Sequence, residues 1–283
     1  MGEIVLTAKV THVPTMLLSE RPGRLFGTRA KAIEGHREIG RRARALGADT
    51  IVVLDTHWMV NAGYHVNSNA RYKGVYTSHE FPQFIQGLTY DLPGNPALGD
   101  LIAEKAQGRG VYTLSHHVET LDLEYGTLVP MHYMNPEGDL KVVSVSAYCT
   151  VHSFESSRQL GEAIREAVEA SDSKVLLVAS GSLSHKIWEN ELYEANNGTF
   201  TISREFNRQC DLRVLELWQK GEIATFLKML PDYAIHCSGE GTMHDTFMLF
   251  GALGWDKYQG KGELIGEYFP SSGTGQANVI FPV

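Results

Sequence analysis

Two histidines follow apolar, β-branched runs that have the composition of buried strands. His12 comes shortly after Ile4–Val10, and His57 comes shortly after Thr50–Leu54. In open α/β sheets, ligands bind in the crevice outside the carboxyl ends of the strands. Two imidazoles delivered there, joined by one carboxylate, would form a metal site of the kind that favours non-haem Fe(II) and oxygen chemistry. The chain must then also supply the carboxylate and a group that moves protons.

A third histidine follows another apolar run in the same way. Val175–Val178 leads into Ala179–His185, the stretch ASGSLSH. Small residues allow the backbone to turn sharply at the sheet edge, so we expect His185 to point into the same crevice. The alternative is a turn that only caps a helix. A serine hydrolase is disfavoured, because the second glycine of the G-x-S-x-G elbow is missing.

The carboxylate has two candidates late in the chain. Glu240 lies between two glycines in Ser238–Asp245, the stretch SGEGTMHD, and Asp245 ends the same stretch. The glycines do not form a dinucleotide fingerprint, because no predicted strand precedes them. Glu240 could instead only cap the helix that follows, where the helix dipole favours an acidic residue.

Strand and helix patterns alternate along the chain, which predicts an α/β fold. The predicted strands are mostly continuous apolar runs, as expected of strands buried on both faces: Ile4–Val10, Thr50–Leu54, Val111–Leu114, Leu140–Ser146, Lys174–Ala179, Glu263–Tyr268 and Ala277–Phe281. The predicted helices are Thr28–Leu46, Pro96–Gln107, Ser156–Ala170, Ile202–Gln219, Ile223–Leu230 and about Thr242–Leu253. We expect a single domain over residues 1–283, with a central mixed β-sheet flanked by helices on both faces.

Three segments lie outside this alternation. Residues 60–95 and 115–135 are rich in aromatic residues and are predicted to be irregular, which in a compact domain often indicates a functional segment. The C-terminal stretch, with SSGTGQ between two predicted strands, is predicted to close the fold as a hairpin.

The composition narrows the possible partners. The chain carries a formal net charge of −8, whereas nucleic acids and anionic membranes need a basic face. No apolar run reaches the ~18 residues of a membrane span, and the N-terminus does not have the pattern of a signal peptide. Cys149, Cys210 and Cys237 are too scattered for a disulfide framework or a zinc site. We therefore expect a cytoplasmic protein without a nucleic-acid or membrane partner.

Taken together and in order, these motifs resemble those of the class III extradiol catechol dioxygenases. The resemblance runs over essentially the whole chain and rests on His12, His57, the segment YGTLVP at Tyr125–Pro130, the SGSLSH stretch before and including His185, and Glu240. It is closest to the branch that acts on 3,4-dihydroxyphenylacetate. It implies Fe(II) held by His12, His57 and Glu240, with His185 as the acid/base, and insertion of both atoms of O2 into a catechol beside its diol. It also implies a homo-oligomer.

The resemblance leaves the second acid/base open. Many members of this family have a histidine at the position of Tyr125, so we expect Tyr125 itself, His117 or His116 to take that part. The substrate carboxylate would need a cationic partner, for which Lys186, Arg21 and Arg24 are candidates.

Other functions remain to be distinguished at this stage. Two histidines and one glutamate can also bind zinc in a hydrolase or lyase, and a chain that lost its metal would be a binding protein. Within the resembled family, 2,3-dihydroxyphenylpropionate, protocatechuate or an aminophenol are alternative substrates. Metal content and oxygen uptake on a panel of catechols separate these possibilities.

Overall fold

The computed structural model describes residues 1–283. The strands are β1 (Glu3–Val10), β2 (Thr50–Val60), β3 (Tyr64–Asn67), β4 (Arg71–Tyr76), β5 (Leu88–Pro93), β6 (Thr113–His116), β7 (Lys141–Cys149), β8 (Lys174–Ser180), β9 (Glu263–Leu264), β10 (Phe269–Ser271), β11 (Thr274–Gln276) and β12 (Val279–Phe281). The helices are α1 (Thr15–Ser19), α2 (Ala30–Ala45), α3 (Pro96–Gly108), α4 (Tyr125–Met134), α5 (Phe154–Ala170), α6 (Asn190–Tyr193), α7 (Glu205–Lys220), α8 (Ile223–His236) and α9 (His244–Leu253). Short 3-10 turns lie at Gly198–Phe200, Glu240–Met243 and Trp255–Lys257.

Eight strands form one sheet in the order β6-β3-β7-β2-β8-β1-β12-β9. The four central strands, β7, β2, β8 and β1, are parallel to their neighbours within this group. β3 pairs antiparallel with β7, and β12 pairs antiparallel with β1. The predicted mixed sheet is therefore confirmed.

The side chains of the central strands alternate between two apolar cores, one on each face of the sheet. On β2, Val52 and Leu54 pack into a core that includes residues of α3, α5, α7, α8 and α9, whereas Ile51 and Val53 pack into a core with residues of α1, α2 and α4. All four side chains are fully buried. A strand buried on both faces needs apolar residues at every position, which explains why these strands were readable as continuous runs.

The prediction that residues 60–95 and 115–135 are irregular was wrong. The first segment contains β3 and the hairpin β4–β5, in which buried and exposed residues alternate. The second contains the end of β6 and all of α4, a helix that is buried on nearly every side. Because α4 has no polar face, its sequence lacks the helical periodicity on which such predictions depend.

The C-terminal hairpin is tighter than predicted. The stretch SSGTGQ itself forms the end of β10, the turn and β11, and the turn residues Ser272 and Gly273 have φ of 55° and 99°. Turns with positive φ match the twist of hairpin strands. No helix of the chain combines the length and the apolarity that crossing a membrane requires.

Candidate metal centre and active-site cavity

The carboxyl ends of three adjacent parallel strands set the positions of His12 and His57. β8 lies between β1 and β2, and its last residue, Ser180, is level with Val10 of β1 and with Asp55 of β2. His12 and His57 follow just beyond this level, and their ring centroids are 4.8 Å apart. His57 lies within β2 rather than after it, because the strand continues to Val60 through an irregular pairing with β7.

Glu240 is brought to the histidines by a backbone contact between two distant stretches. The amide of Glu240 donates a hydrogen bond to the carbonyl of Leu183 at 3.2 Å, and the amide of His185 donates to the carbonyl of Ser238 at 2.9 Å. The SGSLSH and SGEG stretches therefore lie side by side. This pairing places Glu240 and His185 at the same end of the sheet as His12 and His57.

A left-handed turn follows Glu240 directly. Gly241, Thr242 and Met243 have φ of 54°, 56° and 60°. The left-handed region costs a non-glycine residue roughly 1–2 kcal/mol, so the surrounding structure holds this turn against an intrinsic preference. Such outliers are concentrated at functional sites. The last helix consequently begins at His244, later than predicted.

The three side chains arrange their ligand atoms around one point. Glu240 Oε1 lies 2.9 Å from His12 Nε2 and 3.4 Å from His57 Nε2, and one ligand atom from each residue lies within 4.8 Å of the others. The second oxygen, Oε2, accepts a hydrogen bond from the amide of Ser182. Thr56 Oγ1 also donates to Oε1 at 2.9 Å, so the carboxylate is held at both oxygens, and Oε1 faces the two imidazoles.

A chain of hydrogen bonds determines which nitrogen of His12 carries its proton. Pro130 lies inside α4 and has no amide hydrogen, so the carbonyl of Gly126, one turn earlier, has no donor within the helix. That carbonyl accepts a hydrogen bond from Ser180 Oγ at 2.5 Å. Because this uses the only hydroxyl proton of Ser180, its oxygen accepts from His12 Nδ1 at 2.9 Å. Neutral His12 therefore presents the lone pair of Nε2 to Glu240.

This arrangement fits a metal ion. A lone pair 2.9 Å from a carboxylate oxygen is repulsive unless a cation lies between them. Burial by itself would raise the pKa of Glu240, but its interactions with His12, His185 and His57 hold that pKa well below its usual range, so Glu240 is an anionic carboxylate. Two imidazoles, of which His12 is oriented through its Nδ1, and one carboxylate are a typical ligand set for an open metal site.

Asp245, the alternative carboxylate, is engaged elsewhere. Its Oδ2 lies 2.5 Å from Lys9 Nζ, with both side chains buried, and its Oδ1 accepts from the amide of Thr246 at 2.7 Å. It does not belong to the cluster of ligand atoms. The geometry therefore favours Glu240.

His185 lies beside the cluster without belonging to it. Its Nε2 is 3.9 Å from Glu240 Oε2, and 31% of its side chain is exposed towards the cavity. Burial lowers the pKa of His185, Glu240 opposes this shift, and His57 and His12 lower the pKa further. A neutral imidazole at this position can accept a proton from a bound molecule.

Tyr125 covers the other side of His57. The two ring centroids are 3.8 Å apart, and the Tyr125 hydroxyl donates to Glu80 Oε2 at 3.1 Å. Burial and the neighbouring carboxylates raise the pKa of Tyr125 above its usual range. The sequence analysis missed Glu80, which follows β4 in a loop. Its only signal was its place in the aromatic segment 60–95.

The structure does not bring His117 or His116 to this site, which corrects that expectation. β6 is the outermost strand on its side of the sheet, separated from β2 by β3 and β7. His117 Nε2 lies 2.7 Å from Asp100 Oδ1, and His116 Nε2 lies 2.6 Å from His65 Nδ1. Of the three candidates for the second acid/base, only Tyr125 lies beside the cluster.

The cluster opens into a cavity of about 190 Å³, larger than the ~150 Å³ cavity that holds benzene in another protein. Its aromatic walls are Phe81, Phe84, Tyr125, Trp188 and Tyr193. The hairpin β10–β11 and the residues after His12 add polar groups to the lining, which the sequence analysis did not anticipate. None of the candidate cations Lys186, Arg21 and Arg24 lines the cavity.

Comparison with known proteins finds relatives among the ring-opening dioxygenases. A family model described as the catalytic LigB subunit of aromatic ring-opening dioxygenase matches residues 6–282. The chain is 53% identical over 261 residues to a 3,4-dihydroxyphenylacetate 2,3-dioxygenase of Escherichia coli, covering 92% of this chain and 94% of that protein. It is 26% identical over 247 residues to the 2-aminophenol 1,6-dioxygenase beta subunit of a Pseudomonas species, covering 82% and 79%.

A solved structure supports the fold. An uncharacterised protein of Escherichia coli K12 superimposes with a TM-score of 0.63 at 16% identity, covering 98% of this chain and 99% of that one. At this level of identity, the likeness concerns the fold alone.

Proposed function

Since the chain belongs to the family of catalytic LigB subunits of aromatic ring-opening dioxygenases, we propose that it cleaves 3,4-dihydroxyphenylacetate beside the diol. Both atoms of O2 enter the product, 5-carboxymethyl-2-hydroxymuconate semialdehyde, so no external reductant is needed. The observation that carries this proposal is the 53% identity, over 92% of the chain, to a relative named 3,4-dihydroxyphenylacetate 2,3-dioxygenase. The catechol and O2 are the small-molecule partners, and the homo-oligomer stays a prediction.

A metal cofactor accords with the family and with the histidine–carboxylate cluster, and we infer that the ion is Fe(II). His12 and His57 would hold it through their Nε2 atoms and Glu240 through Oε1, as the distances within the cluster suggest. When bound, Fe(II) supplies open coordination positions for the two catechol oxygens and for O2, and it can exchange electrons with O2.

His185 would move the protons of the reaction. Its ring faces the cavity and lies next to the carboxylate of the cluster, so a catechol bound there brings a hydroxyl within reach of Nε2. We infer that His185 accepts this proton and returns it to oxygen as the ring opens. Because the cavity holds the catechol and the base together, the proton transfer takes place within one complex and needs no encounter between separate molecules.

Tyr125 is the proposed second proton-transfer group. Its hydroxyl donates to Glu80, whose side chain is half exposed. A proton that passes from Tyr125 to Glu80 therefore has a path towards solvent. Its ring also packs on His57 and limits how far that imidazole can turn.

Oxygen consumption tests the proposed reaction. Protein loaded anaerobically with Fe(II) is mixed with O2 and 3,4-dihydroxyphenylacetate, 2,3-dihydroxyphenylpropionate, protocatechuate or 2-aminophenol. We expect stoichiometric O2 uptake and a yellow semialdehyde, fastest with 3,4-dihydroxyphenylacetate. Faster turnover of another compound would reassign the substrate. Zinc in the purified protein, with no O2 uptake in any Fe(II) trial, would overturn the dioxygenase.

A single substitution tests the part given to His185. His185→Gln keeps the size and polarity of the side chain but removes the base, so we expect ring opening to slow by roughly 10²–10⁴ with catechol binding retained. His117→Gln, on the outer edge strand, serves as the matched control and should leave turnover unchanged. Equal turnover in the two variants would remove His185 from the mechanism.

A further inference from the structure

Arg29 is a buried cation without an acidic partner. The chain buries two cationic side chains, Lys9 and Arg29, and Lys9 is neutralised by Asp245. The guanidinium of Arg29 instead donates from Nε to Thr15 Oγ1 at 3.2 Å and from Nη2 to the carbonyl of Thr199 at 2.9 Å. Burying a charge without a counter-ion is costly, so an uncompensated cation at this place calls for a negative partner that the chain does not supply.

The surroundings of Arg29 fix its position and preserve its charge. The guanidinium carbon lies 4.8 Å from the ring centroid of Phe269 and 5.4 Å from that of Phe200, both within the range of cation–π attraction. The backbone amide of Arg29 donates to Ser19 Oγ at 2.9 Å. Burial lowers the pKa of Arg29 to about 10, so the side chain is still charged at neutral pH.

Hydroxyl groups connect Arg29 to the cavity. Thr15 lines the cavity, and because its oxygen accepts from Arg29, its own proton remains available. Ser271, also in the lining, has its Oγ 3.5 Å from Thr15 Oγ1. On the other side of the guanidinium, the Tyr193 hydroxyl lies 3.1 Å from Ser272 Oγ and 3.2 Å from Thr199 Oγ1.

The cavity itself needs this charge if it takes an acidic substrate. No lysine or arginine lines it, and its two acidic side chains are Glu80 and Glu240. The hydroxyl of Tyr193 and, after it, the carboxylate of Glu267 act on Arg29 and raise its pKa, but Glu267 already forms an ion pair with Lys31 at 2.7 Å. Arg29 is separated from the cavity by a single lining hydroxyl, that of Thr15.

We propose that the hydroxyls of Thr15, Ser271, Ser272 and Tyr193 form a subsite for the carboxylate of the substrate, with Arg29 as its positive charge. The hydroxyls donate to the carboxylate oxygens of the substrate, and the positive charge of Arg29, which lies behind the hydroxyls, polarises the hydroxyls. Arg29 thus makes the enzyme prefer catechols that carry an acidic side chain. This inference rests on the proposed dioxygenase activity.

The test compares an acidic and a neutral catechol in one protein. The measured quantity is the ratio of kcat/KM for 3,4-dihydroxyphenylacetate to kcat/KM for 4-methylcatechol. Partial loss of active protein cancels in this ratio. We expect Arg29→Gln to lower it at least tenfold, equivalent to ~1.4 kcal/mol, mainly through KM for the acid. Arg29→Lys, which keeps the charge, should restore part of the preference.

Matched variants separate recognition from folding. Arg24→Gln removes an exposed arginine that bonds Asn197 and should leave the ratio within twofold of the parent. Thr15→Val and Tyr193→Phe remove one hydroxyl each and should lower the ratio even if Arg29→Gln fails to fold. A ratio within twofold of the parent in Arg29→Gln, or in both hydroxyl variants should Arg29→Gln not fold, overturns the subsite. A parent protein that cleaves neither catechol overturns the proposed function instead.

Discussion

Ser180→Ala probes the hydrogen-bond chain that orients His12. The substitution removes the acceptor of His12 Nδ1 and the donor to the Gly126 carbonyl, all in a buried environment. Without that acceptor, the proton of His12 can move to Nε2, where Glu240 Oε1 lies 2.9 Å away and accepts it in place of a metal. Loss of such an orienting partner typically lowers metal affinity about 10–100-fold, which corresponds to ~1.4–2.7 kcal/mol.

The matched control is Ser182→Ala. Ser182 is also a buried serine of the same stretch, but its hydroxyl has no hydrogen-bond partner, and its backbone amide, which holds Glu240, is retained. We expect this variant to bind metal within twofold of the parent. The assay is anaerobic equilibrium titration of the apoprotein with Fe(II) against a competing chelator. Thermal unfolding of each apoprotein shows that both variants are folded. Equal metal affinities for the two variants would refute the orienting chain.

Three further substitutions test ionisable side chains that are buried in the protein. Asp245→Asn leaves Lys9 without its counter-ion, so we expect the free energy of unfolding to fall by about 3–5 kcal/mol. This variant should retain stoichiometric metal, whereas Glu240→Ala should lose it. The reverse pattern of metal content would make Asp245 the ligand. Burial lowers the pKa of His244 to about 4 from an ordinary value of 6.5. The free energy of unfolding should therefore be highest above pH 6.5 and fall towards pH 4, because the unfolded chain takes up the proton first. His244→Gln should remove ~3 kcal/mol of that fall, measured by urea unfolding at pH 7, 5 and 4; an unchanged pH dependence would contradict this assignment.

The sequence predicted best what depends on local pattern. β1 and β8 were located within a residue or two, because strands buried on both faces appear as unbroken apolar runs. The helix predicted at Pro96–Gln107 begins where expected, because its start is also set locally: the side chain of Asn95 accepts from the amide of Leu98. The resemblance to ring-opening dioxygenases, which rests on the order of short motifs, is confirmed by the family model over residues 6–282.

The features that the sequence did not predict depend on distant partners. The local pattern left Glu240 and Asp245 both as candidates, although the resemblance implied Glu240. They differ in the structure because Glu240 joins the ligand cluster, whereas Asp245 pairs with Lys9 of the first strand. The choice between His117 and Tyr125 as the second acid/base was likewise open. It depends on the position of β6 at the edge of the sheet, which local sequence does not indicate. No local pattern marks Arg29, whose relation to the cavity depends on the fold of the whole chain.

Because β8 lies between β1 and β2, the metal can be acquired only late in the synthesis of the chain. His12 and His57 leave the ribosome early, but the strands that carry them are not neighbours, and each pairs with β8. A nascent chain that ends before Lys174 lacks the strand that sets the spacing of the two imidazoles, and Glu240 follows later still. Parallel pairing across such long loops is also slow to form. We therefore expect the complete metal site to form only after both β8 and Glu240 have been synthesised.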